Sequence, residues 1–280
     1  MSKATTRLAA LAGCALTALA AVCAAAPGGT PRTPGFDPHD FTHSAAVTNR
    51  WLPLEPGTQF VYRGSSSDGK KRLVFIVTDL VKVVGGVRNA VVWDRDYTDG
   101  ELVEAELAFF AQDDHGNVWH TGEYPEEYEN GKFVAAPTWI AGIKGARAGI
   151  EMEAQPRVGT PSYAQGFAPP PVNWTDRARV TRLAGKVCTS LRCFDRVLVT
   201  REFNSEEPDA YQLKYYARGV GNIRVGWGGS KNTDKESVSL VGLSHLDRGE
   251  LAVVRRAALK LERHAYATSK AVYAKTPPAG

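Results

Sequence analysis

The chain reads as a mainly β protein: an antiparallel meander forming a curved sheet or open barrel, with an appended C-terminal amphipathic helix. Three observations carry this reading. Short runs rich in Val, Ile, Leu, Tyr and Phe recur between closely spaced turn signals. Strands and helices do not alternate, which argues against a parallel α/β sheet. Apolar residues adopt helical spacing only in the last thirty residues.

With 280 residues, 43% of them hydrophobic and 23% charged, the chain has enough apolar material to bury a core without staples. The same figures exclude a disordered chain, a collagen-like fibre and a polytopic membrane protein. The elements follow in order. Lys3 and Arg7 precede an Ala- and Leu-rich run over residues 8–26, and Pro27-Gly28-Gly29 follows. A basic start, an apolar stretch and a small-residue exit describe a secretory signal peptide over residues 1–26. Leu11-Ala12-Gly13-Cys14 resembles a lipidation box, but only Leu8, Ala9 and Ala10 separate it from Arg7. That is too short for the apolar stretch such a signal needs, and it argues against anchoring at Cys14. The expected location is secreted or cell envelope, with no transmembrane segment once the signal is removed.

Residues 27–50 read as a linker with one helical turn, in which Asp37 is the N-cap and Pro38 the first helical residue. The β domain spans 51–248. Strands are expected at 59–63, 72–84, 87–97, 101–112, 118–121 and 127–134, with Asp99-Gly100 and Asn130-Gly131 as hairpin turns. Residues 136–175, rich in Gly, Pro and Ala, read as a long loop region. Strands resume at 177–184, 195–203, 211–217, 222–227 and 237–245, about ten in all. Residues 249–280 form the C-terminal helix and tail. There Leu251, Val254, Ala258, Leu261 and Ala265 repeat at helical spacing.

Cys188 and Cys193 are the two cysteines outside the signal segment, and strand-like residues flank both. A hairpin with residues 189–192 as its loop sets them opposite each other, so a disulfide clip is expected. The spacing lacks the C-x-x-C geometry of a thiol oxidoreductase, and two cysteines are not a zinc site.

Charge argues against nucleic acid as a partner. The net +4 comprises +2 from residues 1–26 and +4 from residues 250–280, leaving −2 for the body. No basic stripe is left on the fold to follow a phosphate backbone. The basic tail leaves room for a peripheral envelope contact.

No metal and no cofactor is expected. His39 and His43 share a turn but lack a third ligand. Asp94, Asp96 and Asp99 before Gly100 lack the spacing and closing Glu of a calcium loop, and read as a strand end leading into a turn. P-loop, G-x-S-x-G, H-E-x-x-H and G-x-G-x-x-G patterns are absent from the sequence. The weak catalytic candidates are Asp113, His115, Glu123 and Glu127, carboxylates and an imidazole close enough in sequence for acid–base work. Glu151 and Glu153 offer a further carboxylate pair. Trp119, Trp139, Tyr163, Trp174 and Tyr216 are candidates to line a ligand cavity.

Several strings carry a resemblance when taken together. They are Pro53-Leu54-Glu55-Pro56-Gly57-Thr58 with Tyr62; Ala111-Gln112-Asp113-Asp114-His115-Gly116-Asn117-Val118-Trp119 with Gly122-Glu123; Tyr128-Glu129-Asn130-Gly131-Lys132; and Lys214-Tyr215-Tyr216-Ala217-Arg218-Gly219-Val220-Gly221. Over residues 49–245 the chain resembles a family of exported bacterial proteins of unknown function with a PLxPGTxxxY, AQDxxGNVWxxGE and KYYAxGVG signature. The resemblance implies export and a β-rich body, and brings no activity with it. Ala108 and Ile140 stand where that pattern leads us to expect acids.

The expected function is a non-catalytic binding protein of the envelope or medium, holding a small apolar molecule or lipid on the β scaffold. The alternatives are a carboxylate- and His-dependent hydrolase, and a structural or assembly protein working through its basic C-terminal helix.

Overall fold

The computed structural model describes residues 35–280; the signal segment and Cys14 lie outside them. Fifteen strands belong to one antiparallel sheet: β1 (Thr58–Ser66), β2 (Gly69–Val84), β3 (Val87–Thr98), β4 (Glu101–Gln112), β5 (Val118–Glu129), β6 (Lys132–Ala135), β7 (Trp139–Ile140), β8 (Arg147–Met152), β9 (Tyr163–Ala164), β10 (Gly166–Phe167), β11 (Asp176–Cys188), β12 (Cys193–Asn204), β13 (Tyr211–Ala217), β14 (Gly221–Gly228) and β15 (Ser237–His245). Helix α1 (Arg248–Thr268) follows. Thirteen strands form one path from β10 through β8, β5, β4, β3, β2 and β1 to β15, and on through β14, β13, β12 and β11 to β9. The path curls into a nearly closed barrel, the mainly β architecture expected from the sequence.

The hairpins fall where the turn chemistry puts them. Asp99 and Gly100 join β3 to β4, and Asn130 and Gly131 join β5 to β6; all four residues have positive φ. Two such residues in succession match the right-handed twist of the flanking strands. Cys188 and Cys193 are cross-strand partners at the end of the β11–β12 hairpin and are joined by a disulfide.

Three expectations need correction. Residues 118–134 are not two short strands around a turn. β5 runs unbroken for twelve residues through Gly122 and Pro125. Gly122 marks a close approach rather than a turn: a Cβ there would lie 2.6 Å from the Trp139 carbonyl oxygen in β7. Residues 136–175 are not one long loop, because β7, β8, β9 and β10 lie in that segment. Their strands are two to six residues long, too short for a period-2 pattern to stand out. Lastly, residues 41–50 are not a free linker. Val47 bridges to Leu54, and the Asn49 side chain accepts from the Trp51 and Leu52 N–H groups and donates to the Gly116 carbonyl. This fixes Trp51 and Leu54 in the barrel core. Before it, Asp37 caps a 3-10 turn at Pro38–Asp40 as expected.

β9 and β10 close the barrel. They are separated only by Gln165, yet β9 pairs with β11 and β10 pairs with β8. The two ends of the thirteen-strand path are therefore consecutive in the chain, and residues 163–167 form the seam.

Both faces of the sheet are covered where α1 packs. Along β2, Leu73, Phe75 and Val77 belong to the interior, while Val74 and Ile76 pack with Val254 of α1. Such double burial gives near-continuous apolar runs instead of clean alternation. Asp247 and Glu250 form a capping box at the start of α1, with bonds of 2.8 and 2.9 Å. Val254, Ala258, Glu262 and Ala265 are its buried residues. After α1 the tail folds back, burying Tyr273, and Gly280 exchanges two backbone hydrogen bonds with Val81. Among the described residues no helix is long and apolar enough to cross a membrane.

Candidate functional site

Inner-facing residues change character along the strands. In β3 the inner series is Ala90, Val92, Asp94, Asp96; in β4 it runs Phe110, Ala108, Glu106, Glu104; in β12, Leu198 is followed by Thr200 and Glu202. The apolar ends pack together into the main core. The polar ends surround a cavity of about 530 Å³, within the range of small-molecule sites.

Leu52, Pro53 and Leu54 contribute to its apolar lining, with Phe60 and Tyr216. Phe75 meets Phe60 edge to face at 5.8 Å, and Tyr62 stacks beside Phe60 at 6.5 Å. The Tyr62 hydroxyl donates to the Asn222 carbonyl at 2.8 Å, which fixes the ring. Trp174 and Tyr211 complete the aromatic surface.

Eight carboxylates and one ammonium share this cavity. One group lies on β3 and β4, where Asp94 faces Glu106 and Asp96 faces Glu104 across the ladder. Like charges directly opposite destabilise a sheet. Burial, then Asp96, Glu106 and Glu104, push the Asp94 carboxyl well above the ordinary carboxylate range. A second group straddles the seam. Glu151 of β8 accepts from the Gln165 amide at 3.1 Å, the Gln165 backbone N–H donates to the Asp176 carbonyl at 2.9 Å, and Glu202 pairs with Lys214 at 2.7 Å. Burial raises Glu151 to about 7 and Asp176 to about 6, against the pull of Lys214. Burial opposes the charge on Lys214, but Glu202, Glu151 and Asp176 outweigh it and hold the ammonium above its ordinary value. Among the described residues, no three His, Cys, Asp or Glu side chains converge to hold a metal ion.

The carboxyl of Glu151 makes a prediction possible. Its ordinary value is 4.5, so the folded chain keeps this proton where the unfolded chain loses it. The stability it contributes is complete below about 4.5 and lost as pH rises through about 7. Lys214, Glu202, Asp176 and Gln165 are the groups that face it. Compared with Glu151→Gln, the wild-type protein is expected to lose on the order of 2 kcal/mol between pH 4.5 and 7. Chemical denaturation of both proteins across that range checks this; curves that stay parallel contradict it.

The residues singled out in the sequence are divided among several places. Trp174 and Tyr216 line the cavity. Trp119 packs on the outer side with Phe36 and Phe41, Trp139 stacks on Trp174 at 5.9 Å, and Tyr163 is buried in the cluster that includes α1 residues. Asp113 organises its turn, accepting from His115 N–H, from the Asn117 backbone and side chain, and from the Trp119 indole. His115 is exposed. The register places Glu123 and Glu127 on the same face as Ala108 and Glu104. Glu123 lies 3.6 Å from His120, whose imidazole burial pushes down to about 3. The charged cavity residues missed are Glu104, Asp176, Glu202, Lys214, Asp234 and Glu236. A charged residue on a strand carries no mark in the sequence that it faces an enclosed space.

Fold and cavity together define a class: an antiparallel β-barrel with an acid-rich interior of ligand size. No family model and no curated protein matches the chain, the signature strings included. Two solved structures are similar to it. One is a candidate exported protein with a YmcC-like fold from Bacteroides fragilis, 13% identical, with a TM-score of 0.42 over 70% of this chain and 99% of that one. The other is a candidate lipoprotein from Parabacteroides distasonis, 12% identical, with a TM-score of 0.38 over 69% of this chain and 97% of that one.

Proposed function

We propose that the protein is an exported, non-catalytic binding protein that holds a small molecule with an apolar body inside its barrel. The observation that carries this reading is the cavity of about 530 Å³, lined by apolar and aromatic side chains interleaved with charged ones. A rigid scaffold enclosing such a space is the usual design of a ligand site. Export is supported by the signal-like residues 1–26 and by the Cys188–Cys193 disulfide, a bond favoured outside the cytosol.

Native mass spectrometry against a panel of lipids and small apolar molecules tests the reading. The expected result is a bound mass on the wild-type protein and its loss in Leu73→Trp, which fills the cavity from the wall. Absence of any bound mass, or equal uptake by the filled variant, contradicts it.

A further inference from the structure

Helix α1 buries one face against the sheet and turns a basic one outward. Val254, Ala258, Glu262 and Ala265 are its buried residues. On the opposite side Val253, Arg256, Lys260 and Arg263 are exposed, and their spacing of three and four residues puts them on one stripe. The helix holds two carboxylates, and both are engaged elsewhere: Glu250 closes the capping box, and Glu262 is bonded to Lys82 beneath the helix. Asp79 of β2 and Glu126 of β5 are taken by Arg255 and His264. Arg256, Lys260 and Arg263 form no ion pair among the described residues.

Exposed apolar side chains accompany this stripe. The Phe133 ring of β6 meets the His264 ring edge to face at 5.1 Å, which sets the β5–β6 hairpin against the C-terminal half of α1. Phe133 is 40% exposed, its neighbour Val134 47% and Val253 56%. Lys132 precedes them in β6 and is exposed as well, opposite Glu129 across the hairpin. A helix face that only meets water mixes its bases with acids at the next turn. Here the bases stand together, with large apolar groups left uncovered at their side. The apolar face of α1 is already used on the sheet, so any contact is made by the basic face and the hairpin.

We propose that this face docks the protein on an anionic phospholipid bilayer, with Arg256, Lys260 and Arg263 among the headgroups and Phe133 and Val134 entering the interface. Each base held near such a surface adds about fivefold to the affinity, and buried apolar side chains add to it. A soluble polyanion would engage the bases alone, so the two apolar residues favour a bilayer. The proposal does not depend on what the barrel holds.

Co-sedimentation with vesicles tests it, on residues 27–280, because the signal-like segment would itself bind lipid. Binding to phosphatidylcholine vesicles with about 30% phosphatidylglycerol is expected to be at least about tenfold tighter than to phosphatidylcholine alone, and to weaken with salt. Arg256→Ser/Lys260→Ser/Arg263→Ser should remove that preference. Phe133→Ser/Val134→Ser should weaken binding to the mixed vesicles at least about threefold. Lys186→Ser/Arg192→Ser/Arg196→Ser removes the same charge from exposed positions at the β11–β12 hairpin and should bind like wild type. All eight side chains are exposed, and circular dichroism confirms that each variant keeps the fold. No preference for the anionic vesicles overturns the proposal, and so does an equal loss in the β11–β12 variant. Undiminished binding by Phe133→Ser/Val134→Ser overturns it in favour of a soluble polyanion. Self-association without vesicles that this double variant abolishes overturns it in favour of a second copy of the chain.

Discussion

Gly149→Ala is expected to open the barrel and cost about 3 kcal/mol or more. Gly149 lies in β8, against the segment that closes the sheet. A Cβ there would sit 2.2 Å from the Gly166 nitrogen, 2.3 Å from the Gln165 carbonyl carbon and 2.5 Å from the Ala164 oxygen. All three are backbone atoms, so no side chain can rotate away. Relief requires β8 to part from residues 163–167, which breaks the pairing with β10. Glu151 and Gln165 separate with it, so the cavity loses part of its wall. The control is Gly185→Ala, where the added methyl meets nothing within 4 Å. That variant should stay within about 0.5 kcal/mol of wild type. Urea denaturation gives the stabilities, and hydrogen exchange at residues 147–152 and 163–167 locates the damage. A wild-type midpoint with unchanged protection in Gly149→Ala would show that the seam is not packed as described.

Lys82→Ala is expected to be of similar severity, about 3–5 kcal/mol, through a different mechanism. Lys82 is fully buried on the outer face of β2, under α1. Its ammonium reaches Glu262 at 2.7 Å and the Tyr266 hydroxyl at 3.0 Å, and lies 4.1 Å from the centre of the Tyr273 ring. Burial lowers its pKa, with Glu262 pulling in the opposite direction. Glu262 in turn accepts from the Tyr273 hydroxyl and the Ala279 N–H, so this one pair ties helix, tail and sheet together. Removing the cation strands a buried carboxylate. Removing both charges in Lys82→Met/Glu262→Met leaves no stranded charge and should recover most of the loss. The coupling energy from the double-mutant cycle is the measurement. Additive single and double changes would mean that the two side chains act independently.

These two sites differ in how far they could be read from the residues. The helix was legible because Val254, Ala258 and Ala265 keep one face apolar, and they are among its buried residues. Glu262 falls on the same face, and nothing in its spacing separates a buried ion-pair partner from a solvated one. The long strands were legible as runs rich in Val, Ile, Leu, Tyr and Phe, bounded by turn signals such as Asp99-Gly100 and Asn130-Gly131. The seam was not, since two-residue strands have no period to detect. The cavity was half visible. Asp94 and Asp96 looked like an exposed strand end, because alternation alone cannot tell a polar wall facing an enclosed space from one facing bulk water. Trp174 and Tyr216 were singled out as aromatics, but so were Trp119 and Tyr163, which pack outside the cavity. Burial of a ring follows from its size; which space it borders depends on partners more than a hundred residues away, as with Tyr62 and Asn222.

Most ladders join strands that are adjacent in the chain, and β1 is a marked exception. It pairs on one side with β2 and on the other with β15, setting Thr58 opposite His245. A ribosome delivers these partners early and late, so a growing chain carries a raw β1 edge through most of its synthesis. Loop-closure entropy favours the local hairpins forming first and the long-range closure of β1 with β15 forming late. Until it forms, the free amides and carbonyls of β1 are the place where two nascent copies would stick together.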